Sequence, residues 1–206
     1  MLSSVPNLGA PLDEIDTPAL VLDLDAFERN LQSMARFCAS AGVRLRPHAK
    51  THKCVEVAKR QIALGAVGQC CQKVSEAEVL VNGGIGDVLV SNEVVGERKL
   101  DRLASLSQRA TIGLCFDDAS QVQEASRAAQ RAGVTLGGLV EIEVGMQRCG
   151  VLPGLPASDL AQAHRERAGA PLQRHPGVPR QGPALPHAGR TQGGDRLCAG
   201  RYSSDH

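Results

Sequence analysis

Aromatic side chains are nearly missing from this 206-residue chain, which has no tryptophan, one tyrosine and three phenylalanines. We therefore expect an aliphatic core, and platforms on which nucleic-acid bases could stack are lacking. A strong charge of either sign is also absent, because 23 lysines and arginines nearly balance 22 aspartates and glutamates. Proteins that bind nucleic acid usually carry a broad basic field, so nucleic acid is not the expected partner.

Long apolar runs are absent too, and none approaches the roughly 18 to 20 residues that a membrane-spanning helix needs. We therefore expect no membrane partner. The N-terminus lacks a basic segment followed by an apolar one, which argues against a signal peptide. The seven cysteines are odd in number and never spaced CxxC, a pattern that fits reduced thiols better than a disulfide or zinc framework. These features predict a cytoplasmic protein.

Short β-type runs alternate with helical segments along most of the chain. The predicted strands are residues 19–24, 43–47, 66–72, 87–92, 110–116 and 136–144. Between them, segments such as 25–41 carry apolar residues at helical spacing. Asp25 with Glu28, and Ser75 with Glu78, have the spacing of helix N-terminal cap pairs. Alternating strands and helices indicate parallel pairing with both faces of the sheet covered.

Two architectures are consistent with this alternation of strands and helices. A closed (β/α)8 barrel needs eight units in about 250 residues, whereas a doubly wound sheet usually carries a GxGxxG loop after its first strand. Here the first predicted strand is followed by DAFERN, without glycine, and NGGIG at 82–86 follows a helix and reads as a helix end and loop. We predict an α/β fold, a partial TIM-like (β/α)8 barrel of about six units over residues 15–163, after an N-terminal extension of residues 1–14.

Residues 164–206 have a different composition, with seven arginines and no lysine, five prolines, and only four leucines or valines. Such a segment is predicted to be disordered. A basic arm for nucleic acid or a membrane surface is one alternative. Another is an out-of-frame reading of a GC-rich gene, because plausible codons shifted by one base can spell IQAYHGKAQHFRTPDA. The segment is interpreted as an out-of-frame tail.

The stretch RPHAKTHK, residues 46–53, places Lys50 just beyond the second predicted strand. The carboxyl ends of barrel strands surround the mouth where chemistry takes place. Partial burial and neighbouring cations could keep this amine neutral, as Schiff-base formation requires. The cations that could act in this way are Arg46, His48, His52 and Lys53. Two alternatives stay open: a solvated basic turn, and a zinc pair of His48 and His52 that lacks a third ligand nearby.

Five motifs in order carry a resemblance to a known family: DTPALVLDLDAFERNL, RPHAKTHK, CCQKVSEAE, DVLVSNEVVG and VEIEVGMQRCGV. They resemble the D-threonine aldolase and D-serine dehydratase family over residues 15–163. That family consists of pyridoxal-phosphate enzymes of fold type III, with an alanine-racemase-like barrel followed by a β-domain. The re-framed IQAYHGKAQH also resembles the family's next motif.

The resemblance implies roles for five residues. Lys50 matches the lysine that forms a Schiff base with pyridoxal phosphate, and His48 beside it would line the cofactor. Gln72 and Asn92, at the ends of the third and fourth predicted strands, would point into the mouth. Arg148 matches an arginine at the cofactor's edge, where a guanidinium could hold the phenolic oxygen or ring. Without the resemblance, Gln72 and Asn92 could equally be loop hydrogen-bonders and Arg148 a surface ion-pair former.

The chain also departs from the family pattern. Pro179 and Arg180 occupy the region where the family has the tyrosine of its YHG motif. The glycine-rich phosphate loop is expected to lie beyond the end of this chain. The β-domain whose histidine and acidic ligands hold a divalent metal is expected there too, so no metal ligand is assigned here.

The resemblance implies a lyase that acts on small D-3-hydroxy amino acids, cleaving them to glycine and an aldehyde. The alternatives are a D-serine or 3-hydroxyaspartate dehydratase, an amino-acid racemase, a non-catalytic pyridoxal-phosphate-binding barrel and a pseudogene product. The resemblance also admits a homodimer. Because six strands leave open barrel edges, we expect this 206-residue chain to be poorly soluble and inactive.

Overall fold

The structure is a computed structural model that describes residues 9–167. Helices and strands alternate along the chain. The helices are α1 Leu24–Ser40, α2 Val55–Ala63, α3 Val74–Asn82, α4 Glu97–Leu106, α5 Ala119–Ala132 and α6 Leu155–Arg167, with short 3-10 helices at Leu12–Glu14 and Ala49–Thr51. The strands are β1 Gln69–Cys71, β2 Asp87–Glu93, β3 Thr111–Phe116 and β4 Gly137–Val140.

The four strands form one parallel sheet in the order β1-β2-β3-β4. Val88 of β2 pairs with Gln69 on one side and Ile112 on the other, and Gly113 of β3 pairs with Gly137. Each strand neighbours the next one in sequence, with a helix between them. This order has no reversal, unlike the doubly wound sheet, and is that of consecutive units of a TIM-like barrel. The predicted fold class is confirmed.

The first two predicted strands are not formed as strands. Residues 18–23 are a loop that leads into α1, and Leu20 is fully exposed. Residues 43–47 are extended but not a strand: bonds run from Val67 N to Leu45 O (2.9 Å) and from Cys70 N to Pro47 O (2.7 Å), and an isolated parallel bridge joins His48 to Cys70. A strand needs a neighbour to satisfy its backbone groups, and within residues 9–167 the segment 19–24 has none.

Several helix ends differ from the prediction. The N-cap of α1 is Asp23, whose carboxylate accepts from Ala26 N at 2.8 Å, rather than Asp25. Helix α3 begins at Val74, before Ser75, and its N-cap Lys73 makes no side-chain cap bond. Glu78 is bonded to Arg102 in α4 (2.7 Å). Helix α6 runs to Arg167, four residues past the boundary predicted at 163.

The glycines of NGGIG behave as predicted. Helix α3 ends at Asn82, Gly83 is its C-cap, and Gly84 has a φ of +92°. Because only glycine adopts such a φ without strain, the chain can turn there into β2. No phosphate loop is formed at this position.

The core lies between the sheet and the helices α3, α4 and α5. Its fully buried members include Val88, Leu100, Leu103, Ile112 and Leu114. In the described part of the chain the one buried aromatic side chain is Phe116, so the expectation of an aliphatic core is confirmed. Burial of this apolar area, at about 25 cal/mol per Å², is the main force that holds the helices on the sheet.

Two of the predicted segments fall largely outside the described residues. The tail is described only up to residue 167, so its predicted disorder and its out-of-frame origin stay predictions, as does the character of residues 1–8. Among residues 9–167, no helix is both long and apolar enough to cross a bilayer.

Candidate functional site

A cleft of about 200 Å³ opens at the carboxyl ends of the strands. The residues that line it lie at or after the carboxyl ends of four segments: the extended residues 43–47, β1, β2 and β4. Parallel strands in one sheet end on the same side, so these ends lie close together. All five predicted site residues line it. Its lining residues are His48, Lys50, Gln72, Ser91, Asn92, Glu141, Ile142, Glu143, Val144, Met146, Arg148 and Cys149.

Lys50 lies in the 3-10 helix Ala49–Thr51, and the side chain of His48 caps that helix. Nδ1 of His48 accepts from the Lys50 backbone N–H at 3.2 Å. Nε2 of His48 lies 3.1 Å from Oγ of Ser91, and that hydroxyl donates to Cys71 O at 3.3 Å. The imidazole therefore joins the turn that carries Lys50 to the end of β2.

These contacts define one protonation state of His48. Nδ1 must be an unprotonated acceptor, and Ser91 gives its only proton to Cys71, so Nε2–H must donate to Ser91. Burial, and then the positive charge of Lys50, lower the pKa of His48. A neutral ring with its proton on Nε2 is thus favoured at neutral pH.

The predicted ring of repelling cations around Lys50 is not formed. The guanidinium of Arg46 makes a double hydrogen bond with Asp87, at 2.9 and 3.0 Å. Lys53 lies 3.9 Å from Glu76, and Lys50 itself is exposed rather than partly buried. The sequence prediction was wrong here because the carboxylates that neutralise these cations are distant in sequence.

Gln72 and Asn92 extend the rim of the cleft. Nδ2 of Asn92 donates to the backbone oxygen of Gln72 at 3.4 Å, which ties the ends of β1 and β2 together. The backbone N–H of Gln72 donates to Glu76 at 2.8 Å. Both residues lie where the sequence predicted, at strand ends.

Two carboxylates and a thiol cluster at the ends of β2 and β4. Glu93, Glu141 and Cys149 bring their side-chain donor atoms within 4.8 Å of one another. Burial, followed by the charge of Glu141, raises the pKa of Glu93. A hydrogen bond to Glu141, at 3.0 Å, raises the pKa of the Cys149 thiol to about 11. The thiol is therefore protonated at neutral pH, when it would be a poor nucleophile.

The alternative zinc pair is not supported by the geometry. Both ring nitrogens of His48 are used within the fold, and Nδ1 of His52 accepts from Cys54 N at 3.1 Å. Burial lowers the pKa of His52. In the described part of the chain, no third ligand joins the two histidines.

Sequence reasoning missed Ser91, Glu141 and Glu143 as lining residues. The available signal was position: Ser91 precedes Asn92 at the end of a predicted strand, and the two glutamates lie at the end of another. Their contacts, however, join residues up to 43 positions apart, and no local pattern shows them.

Residues 22–175 match the family model described as alanine racemase, N-terminal domain. The chain belongs to this family. The cleft therefore lies in an alanine racemase N-terminal domain, on the side of the sheet where the five predicted residues converge.

The chain is similar to characterised members of the wider group. It is 50% identical over 161 residues to a D-threonine aldolase of Arthrobacter sp., covering 78% of this chain and 42% of that protein. The crystal structure of D-threonine aldolase from Filomicrobium marinum is 61% identical, with a TM-score of 0.73, over 74% of this chain and 41% of that one.

The sequence identity to a dehydratase is lower. D-threo-3-hydroxyaspartate dehydratase from Delftia sp. HT23 is 32% identical with a TM-score of 0.66, over 76% of this chain and 41% of that structure. The chain thus spans less than half the length of the relatives it matches.

Proposed function

We propose that this chain forms the cofactor-binding part of a lyase that cleaves small D-3-hydroxy amino acids between Cα and Cβ. The observation that carries the proposal is the convergence of Lys50, His48 and Arg148 on one cleft. The higher identity to the D-threonine aldolases than to the dehydratase favours carbon–carbon cleavage over loss of water. We further infer a cytoplasmic protein whose intact relatives can pair as homodimers.

The donor groups in the cleft fit pyridoxal phosphate. Lys50 offers an exposed primary amine, and within residues 9–167 neither Lys50 nor Arg148 has a carboxylate partner in ion-pair range. An amine and a guanidinium that are both available suit an anionic aldehyde with a phenolic oxygen. Lys50 would hold the cofactor covalently through Nζ, and Arg148 would bind it at its edge.

The cofactor, when bound, supplies an electron sink for the charge left on Cα as the Cα–Cβ bond breaks. His48 keeps the turn with Lys50 at the rim and, being neutral, adds no positive charge beside the amine. Gln72 and Asn92 hold neighbouring strand ends together and so keep the rim rigid. No described residue is assigned to hold the divalent metal of the family aldolases or to take the proton of the substrate hydroxyl.

The amine is tested with pyridoxal phosphate and borohydride. We expect the chain to develop a new absorbance band with pyridoxal phosphate, and borohydride to fix a pyridoxyl label on Lys50. Lys50→Ala should abolish both. Lys53→Ala is the matched control, because Lys53 belongs to the same basic stretch but faces Glu76 and does not line the cleft.

Labelling that survives in Lys50→Ala, or that distributes equally over Lys53, would contradict the proposal. The type of reaction is tested separately with D-threonine and L-threonine in the reconstituted full-length protein, because the 206-residue chain is expected to be inactive. Formation of acetaldehyde and glycine from the D isomer alone supports the aldolase, whereas a keto acid and ammonia would indicate the dehydratase.

A further inference from the structure

Arg148 lies on a loop that leaves the end of β4 and returns to it. The outgoing residues 141–143 pair with Val151, through bonds from Val151 N to Glu141 O (3.0 Å) and from Glu143 N to Val151 O (2.9 Å). The loop between them is exposed and carries Arg148 near its return. Since this pairing fixes only the base of the loop, something else must hold its upper part.

The return of the loop is held by Asp117, which follows β3. One carboxylate oxygen of Asp117 accepts from Gly150 N at 3.1 Å, and the other accepts from Nε2 of Gln121 at 2.9 Å. The backbone N–H of Asp117 donates to Oε1 of the same glutamine at 3.2 Å. Helix α5 therefore holds the carboxylate of Asp117 in place, and this carboxylate in turn holds the loop at Gly150.

Gly150 permits a very close return of the backbone. Its φ is +97°, and a Cβ atom at this position would lie 2.7 Å from the backbone nitrogen of Glu143. Any other residue would clash with the outgoing strand. The bond to Asp117 is thus made at the tightest point of the loop, two residues after Arg148.

The carboxylate of Glu143 organises the upper part of the loop. The backbone N–H of Gly145 donates to it, and hydrogen bonding by backbone groups of this loop, that of Gln147 first, lowers the pKa of Glu143. An ionised carboxylate among several amides is a strong local acceptor. Gln147 adopts a left-handed φ of +51° within this loop. The backbone of the loop therefore turns around the carboxylate of Glu143.

We propose that Asp117 is a positioning residue for Arg148: its carboxylate fixes the loop at Gly150 and thereby holds the guanidinium at the cleft without touching the ligand. Asp117 does not line the cleft. This role rests on the proposed function of Arg148 in binding pyridoxal phosphate. The predicted consequence is that Asp117 affects cofactor binding only through Arg148.

The loop itself is tested first, by hydrogen exchange of the backbone amides of residues 145–150 in the full 206-residue chain. We expect Asp117→Ala to speed their exchange by about tenfold, because a hydrogen bond to a charged group is lost. Asp117→Asn keeps one acceptor oxygen but sets an NH2 against one of the two N–H donors, so it should restore only part of the protection. Asp118→Ala is the matched control: Asp118 caps the same helix through Ser120 N at 2.7 Å but does not contact the loop.

Pyridoxal-phosphate affinity then distinguishes positioning from general stability. We expect Asp117→Ala to weaken binding about tenfold in the parent chain. In an Arg148→Ala background it should weaken binding by less than about twofold, because the group it positions is already gone. Asp118→Ala should leave affinity unchanged in both backgrounds.

Unchanged exchange at residues 145–150 in Asp117→Ala would overturn the proposal. So would two independent losses of affinity that multiply in the double variant. If the parent chain shows no binding that depends on Lys50, the proposed function fails and the positioning of a cofactor ligand fails with it. The exchange measurement alone would then decide whether Asp117 anchors the loop.

Discussion

The side chain of His48 connects the turn of Lys50 to the end of β2, and this contact depends on a neutral ring. Nδ1 accepts from the Lys50 backbone and Nε2 donates to Ser91. Burial also lowers the pKa of a second histidine, His52. As the pH falls, we therefore expect protonation of these histidines to destabilise the turn that carries Lys50 before most carboxylates are protonated.

The sign of this pH effect follows from linkage. Each histidine has a folded pKa below its ordinary value of 6.5, so the unfolded chain binds more protons in that window. We expect the free energy of unfolding to fall as the pH is lowered from about 7.5 to about 5.5. Urea unfolding at the two pH values measures it.

His52→Asn is the informative variant for this prediction. An asparagine oxygen can replace Nδ1 as the acceptor for Cys54 N, but it does not titrate. The variant should therefore lose part of the pH dependence while it keeps its stability at pH 7.5. An unchanged or steeper dependence in His52→Asn would show that other groups cause it.

The residues that line the cleft were predictable from sequence in position, whereas their roles stay predictions. Lys50, His48, Gln72, Asn92 and Arg148 line one cleft because each follows an extended segment or strand of the same parallel sheet. Arg46 was predicted to repel Lys50, but it is bonded to Asp87, 41 residues away. Periodicity locates strand ends, whereas it carries no information on which distant carboxylate meets which cation.

At the scale of elements, helix α4 shows how the core depends on one apolar face. Leu100, Leu103, Ala104 and Leu106 are its buried residues, and Leu103 is fully buried. Helix α3 packs beside it and joins it through Glu78 and Arg102. Most of the binding of α4 to the sheet should come from these leucines, because exposed ion pairs contribute little.

We expect Leu103→Ala to destabilise the chain by about 3 kcal/mol, from lost apolar burial and the cavity that remains. Chemical denaturation followed by far-UV circular dichroism measures the change. Val79→Ala on α3 is the matched control, because Val79 is 55% exposed and should cost less than about 0.5 kcal/mol. Equal losses in both variants would contradict the assignment of Leu103 to the core.

Element boundaries were less predictable than element types. Strands β2 and β3 lie within a residue of their predicted positions, since each carries a run of apolar residues in the core. Strand β4 is shorter than predicted because the chain leaves the sheet after Val140 to build the loop of Arg148. The N-cap of α1 fell on Asp23 instead of Asp25, which have the same side chain and differ only in backbone geometry.

At the scale of the whole molecule, the segment around Leu20, Val21 and Leu22 is apolar but exposed, at 106%, 62% and 59% of full accessibility. Val43, in the extended segment beside β1, is 54% exposed. Exposed apolar chain next to an extended segment with few hydrogen bonds favours association with other copies. The poor solubility expected from the sequence stays a prediction.

We expect the 206-residue chain to self-associate, and Leu20→Lys/Leu22→Lys to reduce the association by adding charge to this segment. Light scattering over a range of protein concentrations measures it. Leu12→Lys is the matched control, since Leu12 is also exposed, at 66%, but lies outside this segment. Equal improvement by Leu12→Lys would show that net charge alone is responsible.

The sequence by itself determined the parallel α/β architecture, the aliphatic core and the set of residues at the strand ends. Apolar periodicity and strand–helix alternation are local properties, and they require no knowledge of what packs against what. Five motifs, each a short contiguous stretch, also indicated the family. The out-of-frame interpretation of the tail is likewise a sequence statement, and reading the gene across codons 160–170 tests it.

Only the tertiary structure decided which partners these residues have. The neutral tautomer of His48 depends on Ser91, the charge of Arg46 is balanced by Asp87, and the loop of Arg148 is anchored by Asp117. Each of these contacts joins residues that are 33 to 43 positions apart. The free energy of such a contact depends on burial and distance in space, which no pattern along the chain encodes.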